Sequence, residues 1–163
     1  NYGPRQFPEK VIPLFVTNAI DHLPVPLYGD GRNVRDWLHV EDHCRAVDLL
    51  IEKGGNGEVY NIGGGNEVEN IDLTHRILAE LERPTSLITP VEDRLGHDRR
   101  YSLNTKKLQA LGWRPRHVFE EGLRSTVAWY QDNEWWWRPI KEADPAYREY
   151  YKSQYGDRKT QTS

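Results

Sequence analysis

The sequence predicts an α/β protein, because segments with the apolar spacing of helices alternate with short β-like runs that end in glycine-rich turns. Helical spacing is clearest at 11–20, 41–52, 72–81 and 119–132, and β-like runs occur at 26–28, 34–40, 58–62 and 86–91. The 163 residues are enough for one domain with a core, or for a large part of a bigger one.

In the first third of the chain, we expect a helix that has Pro8 in its first turn and ends near residue 20. The runs 26–28 and 34–40 then flank an Asp30-Gly31 turn and are predicted to form a hairpin. The next helix, at 41–52, carries an apolar face that is expected to bury the single cysteine: Cys44, Val47, Leu50 and Ile51.

In the rest of the chain, the run 58–62 ends in three glycines, and a helix capped by Asn70 or Asp72 follows. After the strand at 86–91 comes a polar segment at 92–101, then a short helix that ends at Gly112, then the helix at 119–132. Three consecutive tryptophans and four tyrosines mark an aromatic, charged tail. We therefore expect two regions, 1–131 and a helical tail at 132–163.

Composition excludes several classes of protein. The net charge is −3, with basic and acidic residues interleaved, which argues against a nucleic-acid partner. No apolar run reaches the roughly 18 residues that a membrane span needs, so no membrane partner is expected. Cys44 cannot form an internal disulfide, which suits the cytoplasm. The chain has no methionine and opens on a turn-forming Asn-Tyr-Gly-Pro, so we expect a fragment, with a processed start as the alternative.

Three motifs that invite catalysis or metal binding are better interpreted as structure. The glycines at 63–65 lack the further glycine of a dinucleotide loop, since Val68 stands there. His39 and His43 are four apart, but no glutamate follows the first of them, so no metal site is predicted. A buried Cys44 would be inert, and no serine lies in a nucleophile elbow.

The remaining polar groups point to an anionic ligand. Arg35 directly follows the glycine turn, where its planar fork of donors can be held against phosphate oxygens. Arg94 and His97 supply a second cationic pair beside Gly96, and Arg99 and Arg100 follow. Together these groups favour a dianion such as a diphosphate.

Six runs occur in an order that resembles the C-terminal half of the dTDP-glucose 4,6-dehydratases, in the extended short-chain dehydrogenase/reductase family: NYGPRQFPEKVIP, PLYGDGRNVRDWLHVEDH, YNIGG, DRLGHDRRY, LGWRP and FEEGLRSTVAWY. The resemblance covers about residues 1–130. It implies the last elements of a Rossmann fold together with a small α/β substrate-binding domain.

The resemblance also implies a set of substrate-binding residues and no catalytic, cofactor-binding or metal-binding residue in this chain. Val11 departs from the leucine of the family pattern. The implied substrate contacts are Asn1, Lys10, Val11, Pro26, Leu27, Tyr28, Arg35, Asn70, Asp93, Arg94, His97 and Tyr101.

In the family that it resembles, NAD binds to an N-terminal Rossmann domain, and a Tyr-x-x-x-Lys pair supplies the base. Here that spacing occurs only at Tyr155 and Lys159, which we interpret as coincidence. The resemblance implies the dTDP-glucose-binding part of an NAD-dependent dehydratase of deoxysugar synthesis, inactive alone, whose parent is a cytoplasmic homodimer. A related epimerase or decarboxylase, or a non-catalytic binding module, is the alternative.

Overall fold

Helices and short strands alternate through the part of the chain that the computed structural model describes, residues 1–156. The elements are α1 (Val11–Ile20), β1 (Val25–Tyr28), β2 (Val34–Asp36), α2 (Val40–Lys53), β3 (Glu67–Glu69), α3 (Asn70–Glu80), β4 (Ile88–Val91), α4 (Lys106–Ala110), α5 (Phe119–Asp132), α6 (Glu134–Ala143) and α7 (Pro145–Tyr151). A 3₁₀ turn, Thr85–Leu87, precedes β4, and a π-helical turn, Lys152–Gly156, follows α7.

The four strands form two separate two-stranded sheets. Strand β1 pairs in parallel with β4, and β2 pairs antiparallel with β3. The hairpin predicted around Asp30-Gly31 is therefore wrong. The reason is that the backbone after the turn bonds to the start of α3 instead of to β1: Ile71 N donates to Gly31 O (2.8 Å) and Asn70 N to Asn33 O (3.0 Å). This places the end of β1, the start of β2 and the first turn of α3 beside one another.

The main core lies between α1, α3 and α5. Helix α1 is buried along most of its length, because both of its sides face other elements. The predicted apolar stripes of α3 and α5 are buried, including Leu73, Ile77, Leu123 and Val127. A second, smaller hydrophobic cluster lies between the α2 and α4 regions. Its buried members are Leu38, Ala46, Leu108 and Trp113.

Several predicted boundaries were wrong. Helix α1 begins at Val11, since Lys10 has an extended backbone and Pro8 lies in the preceding turn. Strand β2 ends at Asp36 instead of continuing to residue 40, and 58–62 forms no strand within the described residues. Helix α3 starts after Glu69 without a side-chain cap.

The apolar face predicted for α2 is largely exposed. Cys44 is exposed, Ile51 is 80% exposed and Val47 is 41% exposed, so the expected burial of the thiol is wrong. The helix instead directs Asp42 and Ala46 inward. The buried Asp42 carboxylate accepts hydrogen bonds from the backbone N–H groups of Arg116 and His117, which lie outside the helix.

The consecutive tryptophans face different ways, as expected for neighbours on a helix. Trp137 is fully buried and donates its Nε1–H to Tyr130 O (2.8 Å), whereas Trp135 is 70% exposed. The tail is thereby attached to α5. No helix within residues 1–156 combines the length and the apolar character that crossing a bilayer requires.

Candidate functional site

A cleft of about 270 Å³ opens between β1, β2, the first turns of α1 and α3, the segment 94–101 and the tail. Ten of the twelve predicted substrate contacts line it: Lys10, Val11, Pro26, Leu27, Tyr28, Arg35, Asn70, Arg94, His97 and Tyr101. The structure thus brings together residues that are up to 91 positions apart in the sequence. The other two, Asn1 and Asp93, are placed nearby but do not line this cleft.

Arg35 is held in place at one side of the cleft. Its Nη1 donates to Val34 O (2.7 Å), and its Nη2 contacts His97 Nε2 (2.8 Å) and Asp98 O (3.0 Å). The guanidinium also lies 4.1 Å from the centre of the Tyr101 ring. Because these contacts use three of the five N–H groups, two remain for a ligand as far as the described residues show.

His97 lies between a hydrogen-bond acceptor, Asp93, and a hydrogen-bond donor, Arg35. Its side chain is 5% exposed, and its Nδ1 lies 2.6 Å from Asp93 Oδ1. Since Arg35 can only donate, Nε2 must accept, so Nδ1 carries the proton and donates it to Asp93. Asp93 therefore orients the imidazole.

The basic residues of 94–100 divide into two groups. The Arg94 guanidinium faces into the cleft, 5.7 Å from the centre of the Tyr28 ring. Arg99 and Arg100 instead pair with Asp30 and Glu67 at the surface and do not line the cleft. The hydrogen bond from Arg99 lowers the pKa of the Asp30 carboxyl to about 2, as expected for a satisfied surface pair.

Two tail tyrosines that the sequence analysis missed complete the cleft. Tyr150 and Tyr155 line it, and the Tyr155 ring stacks on Tyr28 with 5.8 Å between centroids and 23° between planes. Burial and a hydrogen bond with Tyr28 raise the pKa of Tyr155. The available signal was the repeated tyrosine of the tail. Lys159, the second member of the Tyr-x-x-x-Lys spacing, lies outside the described residues.

Unsatisfied polar atoms in the cleft mark places for ligand contacts. Trp37 Nε1 and Asn70 Oδ1 are buried and have no hydrogen-bond partner among the described residues. Both residues line the cleft. Because buried polar atoms are nearly always paired, a donor and an acceptor left over in one cleft favour a polar ligand there.

A second cavity of about 280 Å³ adjoins the cleft. Asn1, Asp36 and His43 line it, and Arg35, Trp37 and Tyr101 border both spaces. Asn1 thus lies in a space that Arg35 borders but that neither Tyr28 nor the tail lines.

Residues 1–126 match the family described as GDP-mannose 4,6 dehydratase. The chain belongs to this family. Among curated family relatives, it is 56% identical over 149 residues to a dTDP-glucose 4,6-dehydratase of Streptomyces antibioticus, covering 90% of this chain and 44% of the relative. It is 45% identical over 166 residues to dTDP-glucose 4,6-dehydratase 1 of Escherichia coli, covering 97% and 45%. The chain therefore spans less than half the length of the curated relatives that it matches.

Solved structures of dehydratases agree with this assignment. The dTDP-glucose 4,6-dehydratase of Bacillus anthracis, solved in complex with NAD, shares 54% identity with a TM-score of 0.83, over 86% of this chain and 45% of that one. DesIV, the Streptomyces venezuelae dTDP-glucose 4,6-dehydratase, also solved with NAD, shares 52% with a TM-score of 0.85, over 86% and 44%. The fold class predicted from the sequence, part of an extended short-chain dehydrogenase/reductase, is confirmed.

Proposed function

We propose that this chain is the nucleotide-sugar-binding portion of an NAD-dependent dTDP-glucose 4,6-dehydratase. The observation that carries the proposal is the fixed guanidinium of Arg35, which lines one cleft together with Arg94 and eight other predicted contacts. Two cationic groups in one cleft suit a diphosphate. Relatives at 50 to 59% identity named as dTDP-glucose 4,6-dehydratases support the choice of substrate.

The proposed roles follow the order of groups along the cleft. Pro26, Leu27 and Tyr28 form the wall for the base, while Arg35 and Arg94 hold the diphosphate. Lys10, Val11 and Asn70 add contacts along the nucleotide, and His97 and Tyr101 support Arg35. Asn1, in the adjoining cavity, contacts the sugar. This chain supplies binding energy far from the reacting carbons, which positions the sugar for chemistry elsewhere.

The described residues do not fit the role of the NAD site. The glycines at 63–65 are five residues before the start of α3, so no helix N-terminus faces the position that a pyrophosphate would take in that loop. We propose that NAD belongs to the whole enzyme and that this chain alone is inactive. The oxidation, water loss and reduction of the sugar are therefore not assigned to residues of this chain.

Titration of the chain with dTDP tests the nucleotide site. Arg35→Ala is expected to weaken binding by at least about 30-fold, because a desolvated charge pair contributes about 2 to 5 kcal/mol. Arg124→Ala is the matched control, since Arg124 pairs with Glu80 at the surface. An unchanged dTDP affinity in Arg35→Ala, with the fold intact by circular dichroism, would contradict the proposal.

A related epimerase with another nucleotide is the second candidate within the enzyme class. The UDP-glucose 4-epimerase of Thermotoga maritima, solved with UDP-glucose, shares 33% identity and a TM-score of 0.76 over 82% of this chain and 44% of that one. Comparing the affinities of dTDP, UDP and GDP decides between them. Preference for dTDP supports the dehydratase, and preference for UDP supports the epimerase.

We also propose that the whole enzyme is a cytoplasmic homodimer with no nucleic-acid or membrane partner. Sedimentation of the full-length enzyme tests the dimer. The remaining alternative is a non-catalytic binding module. It predicts that even a longer form of this protein will not convert dTDP-glucose in the presence of NAD.

A further inference from the structure

A cluster of potential metal ligands lies outside the nucleotide cleft. His39 and Glu41 stand at the start of α2, and His117 comes from the loop before α5. One ligand atom from each lies within 4.8 Å of the other two. None of the three lines the nucleotide cleft, so the inference does not depend on the proposed function.

The two ring nitrogens of His117 each face a carboxylate oxygen. Its Nδ1 lies 3.0 Å from Oδ2 of Asp42, whose side chain is 1% exposed, and its Nε2 lies 3.3 Å from Oε2 of Glu41. When Asp42 accepts the Nδ1 proton, the lone pair of Nε2 faces a carboxylate oxygen. Two acceptors at that distance repel unless a proton or a metal ion lies between them.

Asp42 gives His117 the support that metal-bound histidines usually have. The backbone N–H groups of Arg116 and His117 each donate to the Asp42 carboxylate at 2.9 Å, which fixes its orientation. A carboxylate that accepts from the far nitrogen of a histidine selects the tautomer that can bind metal and raises its basicity. The carboxylates of Glu41 and Asp42 also interact favourably with the partial positive charge at the N-terminus of α2.

The two imidazoles are close, but at least one ring must turn before both can share an ion. Their rings are stacked with centroids 3.9 Å apart and planes 22° apart. His39 is anchored, because its neighbours bond to the Tyr2 backbone: Leu38 O accepts from Tyr2 N (3.0 Å) and Val40 N donates to Tyr2 O (2.8 Å). The His117 side chain is 30% exposed, and the Glu41 side chain is 69% exposed, so both can adjust toward His39.

We propose that His39, Glu41 and His117 bind a divalent transition-metal ion of the zinc class. Two imidazoles and one carboxylate are a donor set that Zn²⁺ accepts, with a coordination position left for water. The ion ties the start of α2 to the loop before α5.

The test uses the chain after removal of metals with a chelator. Calorimetric titration with Zn²⁺ is expected to show one ion per chain, and Glu41→Gln and His117→Gln are each expected to weaken binding at least 10-fold. His75→Gln is the matched control, because His75 is exposed on α3. Glu41→Gln changes an exposed side chain, so it preserves the fold.

Two outcomes would overturn the proposal: no binding by the unaltered chain, or binding that both variants retain. Imidazole ¹⁵N shifts on adding Zn²⁺ provide the second readout. They are expected to change at His39 and His117 and not at His75. Shifts at other histidines alone would mean adventitious surface binding and would also contradict the site.

Discussion

Lys141 of α6 is a largely buried charged residue that packs against α1. Its Nζ donates to Thr17 Oγ1 (3.1 Å) and Asn18 Oδ1 (3.0 Å), and lies 3.7 Å from an Asp21 carboxylate oxygen. Burial lowers the pKa of Lys141 to about 8 in spite of the nearby carboxylate. The charged form is therefore less favourable in the folded chain than in the unfolded chain.

The first prediction concerns the pH dependence that follows. Between pH 8 and 10, the unfolded chain keeps the Lys141 proton while the folded chain loses it, so the free energy of unfolding rises with pH. Relative to Lys141→Met, the unaltered chain should gain up to about 3 kcal/mol over this interval. Urea unfolding of both proteins from pH 7 to 10 measures the difference. A difference that stays constant across the interval would show that burial does not shift the titration of Lys141.

The second prediction concerns the Asp42 carboxylate, which accepts hydrogen bonds from the Arg45 side chain as well as from Arg116 and His117. Asp42→Ala removes a buried carboxylate and leaves these three partly exposed donors without it, which should cost about 3 kcal/mol of unfolding free energy at neutral pH. Asp48→Ala, an exposed change on the same helix, should stay within about 0.5 kcal/mol. Equal effects of the two changes in urea unfolding would contradict the anchoring role of Asp42.

At the scale of elements, the C-terminal tail shapes one end of the cleft. The π-helical turn after α7 places Tyr155 on Tyr28, and Tyr151 packs against Tyr155 with ring centroids 5.1 Å apart. A π-helical turn is rare and is often found at functional sites. The tail therefore closes the end of the cleft that the proposed roles give to the base.

The third prediction distinguishes a contact with the base of the nucleotide from a contact with its phosphates. Tyr155→Ala should weaken dTDP binding by about 2- to 12-fold, since an aromatic contact contributes about 0.5 to 1.5 kcal/mol, and should leave the affinity for inorganic pyrophosphate unchanged. Ser153→Ala, an exposed change in the same turn, serves as the control. If the affinity for pyrophosphate fell as much as that for dTDP, Tyr155 would support the cleft as a whole instead of contacting the base.

Sequence patterns predicted the elements that are held by local spacing and failed where the partner is distant. The stripes of α3 and α5 are visible within a dozen residues, and both helices were found. The partner of β1 is β4, 63 positions later, and nothing near the turn signals that pairing. Tyr150 and Tyr155 were missed for the same reason, because their place in the cleft depends on the tail folding back. The substrate roles of the twelve predicted residues stay predictions.

At the scale of the whole molecule, adjacent residues connect two hydrophobic clusters. Trp37 belongs to the main core and Leu38 to the smaller one. Because the backbone hydrogen bond from Tyr2 N to Leu38 O also ties the N-terminus to this point, the two clusters are expected to unfold together.

The fourth prediction tests this cooperativity. Leu108 is fully buried in the smaller cluster, so Leu108→Ala should cost about 2 to 4 kcal/mol and shift one common transition. Leu103→Ala, at a half-exposed leucine, is the control. Urea unfolding followed by tryptophan fluorescence and by circular dichroism should give coincident curves. Two separated transitions would mean that the clusters are independent.

The pair formed by Arg35 and Tyr101 borders both the cleft and the adjoining cavity. Under the roles proposed above, a ligand that ends at its diphosphate would fill only the first space, whereas one that carries a hexose would extend past this pair toward Asn1. The two spaces would thus distinguish ligands by their length, with Arg35 at the boundary. A nucleotide alone would then protect only the cleft from solvent exchange, whereas a nucleotide-sugar would protect the adjoining cavity as well.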